Sequence, residues 1–159
     1  MSGPAVYTIT IPGRPQVFHR PRWNSSTRST FNSTAYSRWK KGAAQLMRAR
    51  KRELGWPKGE PLRCAVAVSV DVVLARPKRK PAAGLHRDMW HPTNDYPYPM
   101  GGRHGGDADN YLKAALDALQ DGGIIADDHL VVSATVTKYA GTTPGVDITI
   151  HIIHPEPAD

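Results

Sequence analysis

Stretches with a regular hydrophobic rhythm alternate along this chain with stretches that have none. "AVYTITI", Ala5 to Ile11, steps between apolar and polar in twos, the period of a half-buried strand, and stops at Pro12-Gly13. In "AYSRWKKGAAQLMRARKREL" the rhythm changes. Tyr36, Trp39, Ala43, Leu46 and Met47 recur at three- and four-residue steps while Arg and Lys take the other side, which predicts an amphipathic helix. Asn32, Ser33 or Thr34 can cap its start, and Gly55 or Pro57 ends it. "RCAVAVSVDVVLA" is apolar almost throughout, as expected of a strand at the centre of a sheet. "ADNYLKAALDAL" is helical again: Ala108, Leu112, Ala115, Leu116 and Leu119 share one arc, with Asp109 and Lys113 at its edge. "LVVSATVTKYA" and "GVDITIHII" read as two strands joined by "GTTPG" into a hairpin that closes the domain before the polar tail at 154–159.

Two stretches lack a period. Pro12 to Ser33 is polar, basic and broken by prolines, and Arg76 to Gly106 is rich in Pro, Gly and basic residues, so both read as long loops, the second an extended basic one. The order β, α, β, long loop, α, β, β predicts an α/β (α+β) fold: a mixed β-sheet with helices packed on one face. With 159 residues, the chain suits a single domain spanning 1–159.

Charge narrows the partners. Lys and Arg total 21 against 14 Asp and Glu, a formal charge of +7, which points to a polyanion such as nucleic acid. A membrane partner is not expected, because no apolar run approaches the roughly 20 residues of a spanning helix. The start "MSGPAVYTITIPGRP" has neither a charged nor an apolar signal-peptide region, so a cytoplasmic location is expected. The lone cysteine, Cys64, sits in an apolar run and reads as core filling.

Against this basic background, "GGDADNYLKAALDALQDGGIIADDHLVV" holds six of the fourteen acidic residues: Asp107, Asp109, Asp117, Asp121, Asp127 and Asp128. One reading is capping and turn chemistry, with Asp107 as N-cap, Asp109 in the first helical turn and Asp127-Asp128 in a turn. The other is a metal site. A hard cation such as Mg²⁺ takes a few carboxylate oxygens and keeps several waters, which suits phosphodiester chemistry. Asp107 and Asp109 plus a third aspartate, Asp127 or Asp128, would supply it, and Lys113 could stabilise the charge that develops on phosphate.

"DADNYLKAALDAL" followed by "ADDHLV" resembles the core motif of the RusA family of Holliday-junction resolvases, a D-x-D-N-x-x-K-x-x-x-D-x-L helix followed by a D-D-x-x-V strand entry. The match takes in Asp107, Asp109, Asn110, Lys113, Asp117, Leu119, Asp127, Asp128 and Val131 in one ungapped block. "IPGRP" and "RPR", Arg20 to Arg22, resemble the family's N-terminal pattern. The resemblance implies metal ligation by Asp107, Asp109 and Asp128, with Lys113 as catalytic lysine and Asn110 in support; Asp117, about 80° round the helix from Asp109, reads as structural. It also implies a homodimer that uses Mg²⁺, or Mn²⁺ in its place, to nick two strands symmetrically across a four-way junction. The 76–106 loop is longer than the family pattern leads one to expect.

Outside the motif, Arg20, Arg22, Arg28, Lys78, Arg79, Lys80, Arg87 and Arg103 lie on the two loops, where they could follow a DNA backbone. His86, His91 and His104 match no zinc signature and read as exposed or phosphate-contacting. Trp23, Trp90, Tyr96 and Tyr98 either stack on unpaired bases or anchor the loops. The reading that follows is a metal-dependent, structure-selective endodeoxyribonuclease; the alternative is a non-catalytic nucleic-acid-binding domain whose acids are helix caps.

Overall fold

The computed structural model describes residues 5–18, 22–31, 33–56, 59–99 and 106–154. Six of its elements are those expected from the periodicity. Strand β1 is Val6–Pro12, helix α1 Thr34–Glu53 and strand β4 Val66–Ala75. Helix α3 is Ala108–Asp121, followed by strands β6, Val131–Gly141, and β7, Gly145–Ile152. Strands alternate as their side chains dictate: Ile9 and Ile11 in β1, Val66, Val68, Val70, Val72 and Leu74 in β4, and Val146, Ile148 and Ile150 in β7 are all buried. With Met47, Leu119, Ile124 and Ile125 they form one hydrophobic cluster beneath α1 and α3.

The two loops contain more order than their sequence suggests. Between β1 and α1 lies a small antiparallel pair, β2 (Arg22–Asn24) and β3 (Ser29–Phe31). Within the 76–106 loop lie a short helix, α2 (Leu85–Met89), and an edge strand, β5 (Tyr96–Pro97). Elements of two to five residues are too short to show a period, so the rule that found the others could not find these.

The sheet order is β1-β7-β4-β6-β5, which confirms a mixed sheet with β4 at its centre and corrects the expected hairpin. Strands β6 and β7 are not neighbours. Strand β4 lies between them, parallel to β6 and antiparallel to β7. The connection through Thr142 to Pro144 passes over the end of β4, where Arg76 N donates to Gly141 O at 3.1 Å. A short connection implies antiparallel direction but not adjacency, and the more apolar β4 takes the central position between them.

Ser33 caps α1, its hydroxyl accepting from Tyr36 N at 3.3 Å. Helix α3 buries Tyr111, Ala114, Ala115, Ala118 and Leu119, a face rotated from the expected arc; Ala108, Leu112 and Leu116 are only half-buried. The reason is size. Alanines let α3 lie close to the sheet and to α1, and at its C-cap a Cβ on Gly122 would come within 2.8 Å of Met47. Among the described residues, no helix is long and apolar enough to cross a membrane.

Candidate active site

Helix α3 is fixed at its start by contacts just before the first aspartate of the motif. Gly106 N donates to the Tyr111 hydroxyl at 3.0 Å, and Lys138 Nζ donates to Gly106 O at 2.9 Å. The segment after β1 docks alongside, Phe18 N donating to the backbone carbonyl of Asn110 at 3.1 Å. Asp107 occupies the N-cap position, yet its side chain makes no capping hydrogen bond. Asp109 follows in the first turn, where the helix dipole favours a negative charge. Both are exposed, and neither carboxylate has a hydrogen-bond or ion-pair partner among the described residues. Capping therefore does not account for Asp107.

Lys113 does not pair with Asp109. Its ammonium lies 3.0 Å from Asp117 Oδ1 and 3.2 Å from Asp128 Oδ2. Asp117 is itself held, its other oxygen accepting from the Tyr36 hydroxyl at 2.7 Å. The result is a line of contacts from α1 through Asp117 and Lys113 to Asp128, at the start of the 3₁₀ turn Asp128–Leu130. The Asp117 hydrogen bond, with a smaller contribution from Asp128, outweighs desolvation and holds the Lys113 pKa above its ordinary value, so the lysine stays charged. Burial first, then Asp117, pushes the Tyr36 hydroxyl well above the usual phenol range and keeps it a neutral donor.

The neighbouring acids divide the work. Asp127 caps the 3₁₀ turn, accepting from His129 N at 3.0 Å and pairing with His129 Nδ1 at 2.6 Å. The His129 backbone N–H, then its ring, draws the Asp127 carboxyl below the ordinary range. Asp128 is the one turned to the lysine. Sequence reasoning placed Asp117 as structural, and its contact with Lys113 adds a positioning role; Tyr36 was read only as a core residue, because its partner lies 81 positions away.

A hard divalent ion fits these donors in kind, because the carboxylates of Asp107 and Asp109 are exposed oxygens not used elsewhere. The structure does not bring the third aspartate to them: among the described residues no three His, Cys, Asp or Glu side chains form a group that could hold a metal ion.

The remaining candidates are scattered. Lys78, Arg79 and Lys80 are exposed in the long loop. Arg20, Arg103 and His104 lie outside the described residues, as does the side chain of Arg22. Of the aromatics only Trp23 is freely exposed, at 63 %. Tyr96 and Tyr98 are core residues, and Trp90 is half-buried with its Nε1 donating to Pro77 O at 3.2 Å, so these three anchor the loop. His86 is buried against both tyrosine rings, which corrects the expectation of an exposed histidine. Apolar packing around α2, in a stretch without a readable period, is what encloses it. His91 Nδ1 accepts from Thr93 N and Asn94 N, a turn contact.

None of the curated proteins compared matches the chain. A family description, endodeoxyribonuclease RusA, matches residues 12–151, which take in every element from the end of β1 to the penultimate residue of β7. With the D-x-D-N helix opened by two unpaired carboxylates and its lysine held against Asp128, the chain belongs to the endodeoxyribonuclease RusA family.

Proposed function

We propose that the protein is a Mg²⁺-dependent endonuclease that resolves four-way DNA junctions as a homodimer, nicking two strands symmetrically. One observation carries this reading: Lys113 is clamped between Asp117 and Asp128 while the carboxylates of Asp107 and Asp109, toward the start of the same helix, are left without partners. Asp107 and Asp109 would hold the ion, Mg²⁺ or Mn²⁺, and Asp128 would complete the set only by turning from Lys113 toward them. When bound, the ion supplies positive charge to phosphate oxygens and a more acidic water.

The chain's own part is electrostatic. Lys113, charged as any lysine is near neutral pH and fixed in place by Asp117 and Asp128, would face the phosphate as a fixed cation and stabilise the negative charge that builds up during hydrolysis. Asp117 and Tyr36 hold that cation in place, and Asn110 supports the helix start through its carbonyl. Lys78, Arg79 and Lys80 would follow the DNA backbone, together with Arg20, Arg22 and Arg103.

A second copy of the chain is favoured by the outer edge of β6. Strand β5 covers only Tyr139 and Ala140, leaving Val131 to Thr137 with no strand neighbour on that side among the described residues. This edge carries no charge, and Val132 is 62 % exposed, which is how a strand-pairing surface looks. Incubating the purified protein with a synthetic four-way junction and with linear duplex, each with and without Mg²⁺, tests the reading. Junction cleavage in Mg²⁺ alone is expected; equal cutting without divalent ion would contradict it.

A further inference from the structure

Helix α1 carries seven basic side chains and one acid, Glu53. Four of the seven are engaged within the fold. Lys40 pairs with Asp121 at 3.3 Å, and Arg48 donates to Asp121 O at 2.8 Å. Arg50 pairs with Glu53, and Lys51 donates to Gly59 O and Gly123 O at 2.6 and 2.8 Å. The other three, Arg38, Lys41 and Arg52, are exposed and have no hydrogen-bond or ion-pair partner among the described residues.

These three are not scattered. Arg38, Lys41, Gln45, Arg48 and Arg52 follow one another at steps of three and four, so they lie along a single line on α1. That line lies well round the helix from Tyr36, Ala43 and Met47; its near edge adjoins buried Ala44, and there Arg48 reaches Asp121 O. From Arg38 to Arg52 it runs about 21 Å at the helical rise. Over that distance one DNA strand presents about six phosphates.

Two further observations set this stripe apart from an ordinary solvated face. Solubility is served by mixed signs, and no acid interrupts α1 before Glu53. Helix stability accounts for a cation at Arg52, in the last turn, but not for Arg38 and Lys41 in the first half, where the dipole does not favour them. The stripe also begins two residues from Tyr36, whose hydroxyl leads through Asp117 to Lys113.

We infer that the outer face of α1 is a second DNA surface, in which Arg38, Lys41 and Arg52 hold the phosphate backbone of a duplex arm running away from the cleavage site. It rests on the reading of the protein as a DNA enzyme and adds a surface that the basic loops do not provide.

The test is binding without divalent ion, so that cleavage plays no part. Affinity for a labelled four-way junction is measured across a salt series for the wild-type protein and for the triple variant Arg38→Gln, Lys41→Gln, Arg52→Gln. The slope of log K against log salt should shrink by up to about 2.7, roughly 0.9 for each phosphate that is no longer neutralised. Arg50→Gln, which removes a cation already paired with Glu53, should leave it unchanged. A second measurement needs no variant: acetylation of Lys41 in the wild-type protein should be suppressed by DNA. Wild-type binding with an unaltered slope in the triple variant overturns the inference and leaves the proposed function standing. If the triple variant does not fold, equal acetylation of Lys41 with and without DNA overturns it. A wild-type protein that binds no DNA ends both readings.

Discussion

Lys113 is gripped by Asp117 on one side and Asp128 on the other, and the two carboxylates have different partners behind them. Asp117 is the stronger cause of the raised lysine pKa, and it is anchored by Tyr36. The sign follows: a partner that favours the charged form raises the pKa, so Lys113 holds its proton to higher pH than an ordinary lysine, and removing Asp117 weakens that hold. Asp117→Asn should therefore lower the Lys113 midpoint followed by side-chain NMR in the absence of metal. It should also cut kcat by about tenfold, about 1.4 kcal/mol, with KM little changed. An unmoved midpoint would remove Asp117 from the positioning of the lysine. Asp127 and Asp128 are adjacent and chemically identical, yet only Asp128 reaches the lysine. Asp128→Asn should abolish cleavage while junction binding persists, whereas Asp127→Asn, which removes only a local cap, should keep most activity in the same gel assay; the reverse ranking would exchange their roles. The motif residues were legible because their spacing is local. Asp107, Asp109 and Lys113 share two turns of one helix, whereas no spacing rule could connect Tyr36 to Asp117 across the chain.

At the scale of elements, periodicity identified every long strand and helix but not the order of strands. Strands β6 and β7 follow one another through three residues, and the usual inference of a hairpin fails because the more apolar β4 lies between them and pairs with both. The face of α3 was misplaced for a related reason. Leucines mark the apolar side in sequence, but the closest packing is made by Ala114, Ala115 and Ala118, of which only Ala115 lies on the expected arc. Leu119, fully buried where α3 meets the sheet, is the leucine that both readings share. Leu119→Ala should cost about 2–5 kcal/mol of stability in denaturant unfolding, through the transfer energy of the missing methyl groups and the cavity left behind. A cost near zero would mean that α3 does not pack on the sheet in this way. The uncovered edge of β6 has a different consequence. If it pairs with a second copy, Val132→Lys places a charge on the seam and should shift the protein toward monomer in sedimentation at concentrations where the wild type is dimeric. An undisturbed dimer would move the interface elsewhere.

At the scale of the whole molecule, a formal charge of +7 surrounds a small concentration of acid, and the two serve different ends. The basic excess suits a polyanion, while in the proposed function the carboxylates on α3 and its following turn would act at one phosphate. A four-way junction presents two strands related by a two-fold axis, and a symmetric dimer matches it with two copies of one site. In the proposed homodimer each subunit would answer for one strand. The most direct measurement is a strand-resolved gel of a four-way junction in Mg²⁺, cut by the wild-type dimer, by a mixed dimer with one Asp109→Asn subunit, and by the Asp109→Asn homodimer. Two opposed nicks, one nick and none are predicted in that order; paired nicks from the mixed dimer, or any full cleavage by the Asp109→Asn homodimer, would contradict the account.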